Sequence, residues 1–105
     1  MRESVYQTYL IKRIKNILPG CIILKNDTDY LQGIPDLLIL FRRRWAALEV
    51  KASARSPEQP NQSWYIEAMD DMSFAAFIYP ENEEEVLDDL QQALRPRRRT
   101  RVPVG

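Results

Sequence analysis

Three residues carry the chemistry that this sequence can perform: Asp36, Glu49 and Lys51. Glu49 and Lys51 are two apart in the apolar run Trp45 to Lys51, so on a strand both side chains leave the same face. A second run, Pro35 to Phe41, ends at Arg42-Arg43-Arg44. Pairing the runs antiparallel around Arg42-Arg43 sets Phe41 opposite Arg44 and Asp36 opposite Glu49. Opposed residues hold their Cβ atoms about 4.5–5.5 Å apart. Two carboxylates that close on an apolar sheet repel each other and lose hydration. A divalent cation removes the conflict. Carboxylate oxygens suit Mg²⁺, with Mn²⁺ as a substitute, and such ions keep waters and room for a phosphate. The ion would lower the pKa of a bound water and neutralise charge building at phosphorus. Lys51 would orient the attacking water or stabilise the transition state electrostatically. The chemistry is metal-assisted phosphodiester hydrolysis. A bare Glu-x-Lys across from an Asp also fits an ordinary cross-strand ion pair.

Competing chemistries are few. The 105 residues contain no histidine, which removes Ser-His-Asp triads and imidazole ligands, and one cysteine, Cys21, which removes disulfides and cysteine-cluster zinc sites. Apolar residues at 45% and charged residues at 29% are the composition of a globular domain with a single core. No run is long enough to cross a bilayer, and the first residues lack the apolar core of a signal peptide. A cytoplasmic location in a bacterial or phage-infected cell is expected.

The zero net charge hides segregation. Residues 1–55 hold ten Lys/Arg and five Asp/Glu, residues 56–94 hold ten Asp/Glu and no base, and residues 95–105 hold five Arg and no acid. A basic first half and a basic tail point to a polyanionic partner, while a solvated acidic face and a frayed tail explain the same charges without one.

The elements that must position the three residues follow from periodicity. Tyr6, Leu10, Ile14 and Ile17 form one stripe of a helix over residues 3–18, which Pro19-Gly20 ends. Cys21 to Leu24 reads as a short buried strand, followed by a polar connection from Asn26 to Gly33. The strands from Pro35 and from Trp45 are apolar on both faces, which predicts a sheet covered on both sides. After a loop over residues 52–61, a helix over 62–72 carries Trp64, Ala68 and Met72 at helical spacing. Ser73 to Tyr79 is a fourth strand, and Pro80 starts a last helix reaching about Leu94. The result is a single α/β domain with a mixed sheet, in the order α-β-β-β-α-β-α.

The segment Gly33-Ile34-Pro35-Asp36-Leu37-Leu38, followed by Leu48-Glu49-Val50-Lys51, resembles the motif of the PD-(D/E)XK nuclease superfamily. The Gly-x-Pro-Asp form and the short hairpin are similar to the VRR-NUC group of stand-alone, phage-type nucleases and, more distantly, to Holliday junction resolvases. The resemblance covers residues 3 to about 94 and implies a restriction-endonuclease-like αβββαβ core over 1–94; residues 95–105, with no core-forming pattern, read from composition as a basic flexible tail. It implies that Asp36 and Glu49 bind Mg²⁺ with the carbonyl of Val50, and that Lys51 is catalytic. The family often adds a glutamate from the first helix. Glu3 fits that place, or is an N-terminal acid favoured by the helix dipole. The family also often has a glutamine on the second helix, for which Gln62 fits best and Gln59 is the rival; a capping role also fits Gln62.

Lys25, Arg42, Arg43, Arg44, Arg55 and the tail residues Arg97, Arg98 and Arg99 are candidate DNA phosphate contacts, which position a duplex without reading its sequence. Arg42 to Arg44 sit at the hairpin end away from Asp36. Trp45 and Trp64 lie on apolar stripes and are expected in the core. The reading that follows is a Mg²⁺-dependent endodeoxyribonuclease acting as a homodimer on branched DNA such as a Holliday junction, because nothing resembles a sequence-reading module. The alternatives are a nicking, recombination or repair nuclease without junction preference, and an inactive DNA-binding module.

Overall fold

Tyr6, Leu10 and Ile14 are the buried residues of helix α1 (Glu3–Ile17), as their spacing requires. Gly20, at φ +90°, turns the chain out of that helix with a conformation that few other residues adopt. The computed structural model describes residues 1–95. After α1 come β1 (Ile22–Lys25), β2 (Leu37–Phe41), β3 (Arg44–Val50), α2 (Gln62–Met72), β4 (Phe74–Ile78) and α3 (Glu83–Leu94). Pro80 to Asn82 form a 3-10 turn before α3, so Pro80 opens that turn rather than the helix itself.

The four strands make one mixed sheet in the order β1-β2-β3-β4. β1, β2 and β3 pair antiparallel, and β3 and β4 pair parallel through the α2 crossover. The chain is an α/β protein with three helices on a mixed sheet. Phe41 pairs with Arg44 and Leu37 with Leu48, the register expected from a loop of Arg42-Arg43. Arg42 takes φ +58° in that tight loop.

Alternation assigns the two faces. Leu37, Ile39 and Phe41 of β2 join Ala46, Leu48, Val50 and Ile78 in a core with Tyr6, Leu10 and Ile14 of α1 and Val86, Leu87, Leu90 and Leu94 of α3. On the opposite face, Ala47 and Ala75 pack with Ile66 of α2, flanked by Trp45, Met69 and Phe77. Glu49 follows Ala47 by two residues and therefore lies on the α2 face.

Three expectations need correction. The first strand begins at Ile22 and is not buried: Ile22 is 57% exposed and Leu24 46%. It is an edge strand, and the single helix on its face sits over β3 and β4, so the sheet is covered fully on one side only. The Trp64, Ala68, Met72 stripe is not the buried face of α2. Trp64 is 65% exposed and Met72 75%, while Gln62 and Ile66 are buried. A polar residue takes the inward position because buried Glu49 of β3 and Lys51 just after that strand bond to it. Finally, Glu83 of the acidic run is buried, not solvated. Tyr6 and Tyr9 of α1 donate to its two carboxylate oxygens at 2.8 and 2.7 Å, and Arg13 pairs with both Glu83 and Glu84. This network fastens α1 to α3. Burial, and then the bond to Glu83, push the Tyr6 hydroxyl well above its ordinary pKa.

Among the described residues, no helix is long and apolar enough to cross a membrane.

Candidate active site

Asp36 stands one residue before β2, not within it. Its side chain replaces a ladder partner there: Oδ2 accepts the Val50 N–H at 3.0 Å, which ties the start of β2 to the end of β3. Its carbonyl accepts the Asn26 N–H at 2.8 Å, and the Asn26 side chain donates to the Pro35 carbonyl at 2.7 Å. Asn26 thus closes the long polar connection and fixes the backbone around Asp36. The carbonyl of Val50, expected as a further ligand, belongs to the residue whose N–H holds Asp36.

Glu49 is 2% exposed. Its Oε2 accepts from Gln62 Nε2 at 3.0 Å, and its Oε1 is the one buried side-chain polar atom among the described residues with no hydrogen-bond partner. Burial, then the charge of Asp36, push the Glu49 carboxyl up to about 8; Lys51 acts in the opposite sense. Glu49 in its charged form is therefore a strained component of the sheet. An unsatisfied buried carboxylate beside a second carboxylate is a costly arrangement without a cation or a shared proton.

Lys51 is 6% exposed. Its backbone N–H bonds the Ile78 carbonyl at 2.9 Å, continuing the β3–β4 pairing. Its ammonium donates to the Pro57 carbonyl at 3.0 Å and to Gln62 Oε1 at 2.7 Å. An ammonium has three donors, so one is left over. Among the described residues Lys51 forms no ion pair, and both its acceptors are neutral. The cross-strand ion-pair reading of Glu49-x-Lys51 thus has no bond to stand on.

Gln62 is the hub, 8% exposed. Besides bonding Lys51 and Glu49, its Oε1 accepts the Gln59 N–H at 2.8 Å. Gln59, the rival candidate, contributes backbone to Gln62 and also lines the cleft. Just before Gln62, Asn61 takes φ +71°, a left-handed conformation that asparagine tolerates. Gly33, at φ +93°, lies directly against it: a Cβ there would sit 2.6 Å from the Pro60 carbonyl oxygen and 2.7 Å from Asn61 Cβ. The loop leading to Asp36 and the loop leading to Gln62 meet at a glycine because nothing larger fits.

Asp36, Glu49, Lys51 and Gln62 line one cleft of about 470 Å³ together with Glu3, Thr28, Asp29, Gln32 and Pro57. Glu3 reaches it from the first turn of α1. Burial and the charge of Asp36 raise the pKa of Glu3, and Lys51 lowers it. Thr28, Asp29 and Gln32 were not singled out from the sequence, since a turn-rich connection carries no periodicity to place them. The Pro57 carbonyl is main chain and has no sequence signature at all.

The basic candidates are spread out. Lys25 ends β1, next to Asn26. Arg55 is exposed on the loop after Lys51. Arg42, Arg43 and Arg44 are at the opposite end of the hairpin from Asp36, where Arg42 lies over the Phe41 ring and Arg44 donates to the Ala93 carbonyl. Arg97, Arg98 and Arg99 lie outside the described residues.

The fit of a divalent cation can be judged from these donors. Among the described residues no three His, Cys, Asp or Glu side chains already converge as a cage. Mg²⁺ does not need one: it is commonly held by one or two carboxylates, with water and substrate phosphate completing the octahedron. The orphaned Glu49 oxygen next to Asp36 fits that pattern. No family model matches the chain, and no curated protein or solved structure is significantly similar to it.

Proposed function

We propose that the chain is a Mg²⁺-dependent endodeoxyribonuclease of the PD-(D/E)XK type. The observation that carries this reading is the buried, unpartnered oxygen of Glu49 beside Asp36. The element order and mixed sheet are compatible with the restriction-endonuclease-like core of that superfamily. When bound, Mg²⁺ or Mn²⁺ supplies Lewis acidity toward the phosphoryl group and its attacking water. Asp36 and Glu49 would hold it, with Glu3 and the Val50 carbonyl as additional ligands. The Val50 N–H fixes Asp36, and the Gln62 amide fixes Glu49. Lys51, held by two neutral carbonyl oxygens, keeps one N–H free and would offer it and its positive charge to the scissile phosphate. Gln62 sets the spacing of Glu49 and Lys51 by bonding both.

DNA is the proposed substrate, and branched or junction DNA the proposed form, because no sequence-reading element is present among the described elements. Cutting two strands of a junction calls for two sites, hence a homodimer. The cytoplasm of a bacterial or phage-infected cell is where such a substrate arises. The test is cleavage of a labelled four-way junction beside linear duplex and single-stranded DNA, with Mg²⁺, Mn²⁺ or chelator. Metal-dependent cutting that Asp36→Asn abolishes supports the nuclease. Equal cutting of all three DNAs removes the junction preference and leaves a nicking or repair nuclease. No cutting, with DNA still bound, makes the chain an inactive binding module.

A further inference from the structure

A second cavity adjoins the cleft. Lys51 and Ser56 line both, so the two share a wall. The rest of the second cavity is lined by Ser53, Ala54 and Glu58 of the loop after β3 and by Phe77 and Tyr79. Its volume is about 170 Å³. That is the space of about six liquid waters, room for one planar ring system and not for a base pair.

A phosphate is the first ligand to consider, and the loop is unsuited to it. The backbone N–H groups that would cradle an anion are already taken: that of Ser53 by Ser56 Oγ at 3.1 Å, that of Ala54 by the Glu81 carboxylate at 3.0 Å, and that of Arg55 by Ser53 Oγ at 3.2 Å. Glu58 adds a negative charge to the wall itself. What remains suits a nucleobase. Phe77 and Tyr79, two residues apart at the end of β4, leave the same face and give the cavity an aromatic side. The Ser53 and Ser56 hydroxyls accept backbone N–H groups and donate to nothing among the described residues, so each keeps a free O–H. Glu58 Oε2 accepts the Ser63 hydroxyl, and its Oε1 is uncommitted among the described residues.

We propose that this cavity receives one unpaired nucleobase of the strand whose phosphate lies in the cleft, and that guanine fits it best. The N1–H and the N2 amino group of guanine are adjacent donors for the Glu58 carboxylate, and O6 accepts from a serine hydroxyl. Thymine has one ring N–H and no amino group. A base within a duplex is paired and stacked, so only a single-stranded or extruded base can enter. The inference rests on the nuclease reading for the phosphate beside Lys51, but occupancy of the cavity can be tested without cleavage. On branched DNA it favours cutting beside an unpaired guanine.

The experiment is a titration of the ¹⁵N-labelled full chain with deoxyguanosine, thymidine or inorganic phosphate in chelator, read by ¹H–¹⁵N chemical shifts. Deoxyguanosine should move the Ser53, Ala54, Ser56 and Tyr79 amides and bind about 5- to 150-fold more tightly than thymidine, the worth of one bidentate contact. Glu58→Gln keeps an acceptor for the Ser63 hydroxyl but removes the charge and one acceptor, and should erase that preference. Tyr79→Leu should weaken both nucleosides and leave their ratio unchanged. Far-UV circular dichroism of each variant checks its folding. Equal affinity for the two nucleosides, shifts at these amides from phosphate alone, or an unchanged preference in folded Glu58→Gln overturns the inference. Cleavage in Mn²⁺ is scored separately: deoxyguanosine binding here without cutting of any DNA sinks the nuclease reading and leaves the base site standing.

Discussion

Glu49→Gln should stabilise the protein in the absence of divalent metal, and the gain should grow with pH. The folded chain holds the Glu49 proton up to about pH 8, whereas an ordinary glutamate releases it near 4.5. The folded state therefore binds more protons than the unfolded state between those values, and stability falls as pH rises through the window. Below about pH 4.5 both states are protonated and the penalty vanishes. At about 1.4 kcal/mol per pH unit it reaches about 3 kcal/mol at pH 7 and about 5 kcal/mol above pH 8, as a ceiling. Glutamine is neutral throughout. It can still accept from Gln62 Nε2. Taking about 2 kcal/mol as the realised part, Tm should rise by about 8 °C or more near pH 8. The assay is thermal unfolding by circular dichroism in chelator at about pH 5, 7 and 9, where the linkage predicts curves that converge in acid and separate in base. A variant less stable than wild type, or a difference that does not change with pH, refutes the reasoning. The same variant should cut no DNA, as expected where a residue costs stability for the sake of function.

Gln62→Leu leaves Lys51 and Glu49 each one partner short and should lose about 1–3 kcal/mol per orphaned group in urea unfolding, together with most of the cleavage rate. Gly33→Ala places a Cβ against Pro60 and Asn61 at a positive φ; it should cost about 2 kcal/mol or more, the left-handed strain alone being about 1–2, and reduce cleavage by moving Gln62. Glu83→Ala strips the partner of Tyr6, Tyr9 and Arg13 and should cost about 3–5 kcal/mol by urea titration. Glu83 does not line the cleft, so the cleavage rate per folded molecule should change far less than with Gln62→Leu.

The hairpin was legible because a two-residue loop fixes register and a period of two fixes the face. Those two rules alone bring Asp36 and Glu49 together, and the observed pairing of Phe41 with Arg44 is the one they require. Helix α2 was legible in its limits but not in its orientation. Trp64, Ala68 and Met72, four and four apart, fit a helical stripe as well as Gln62, Ile66 and Met69, four and three apart, and hydrophobicity favours the wrong one. What turns the helix is polar: Gln62 faces inward because Glu49 and Lys51 need it there. Burial of Glu83 was illegible for a related reason, since its partners Tyr6, Tyr9 and Arg13 are some seventy residues away in sequence. Edge exposure of β1 depends on strand order, which local pattern does not contain.

The most direct measurement is a Mn²⁺ titration followed by electron paramagnetic resonance, with the wild-type chain, Asp36→Asn and Glu49→Gln compared at matched concentrations. The expected result is loss of the solution Mn²⁺ signal on adding wild type, competed by Mg²⁺, with little or none for either variant. Wild-type protein that leaves the Mn²⁺ signal intact, or a Glu49→Gln variant that binds as well as wild type, would contradict the assignment of the buried carboxylate pair to a divalent cation.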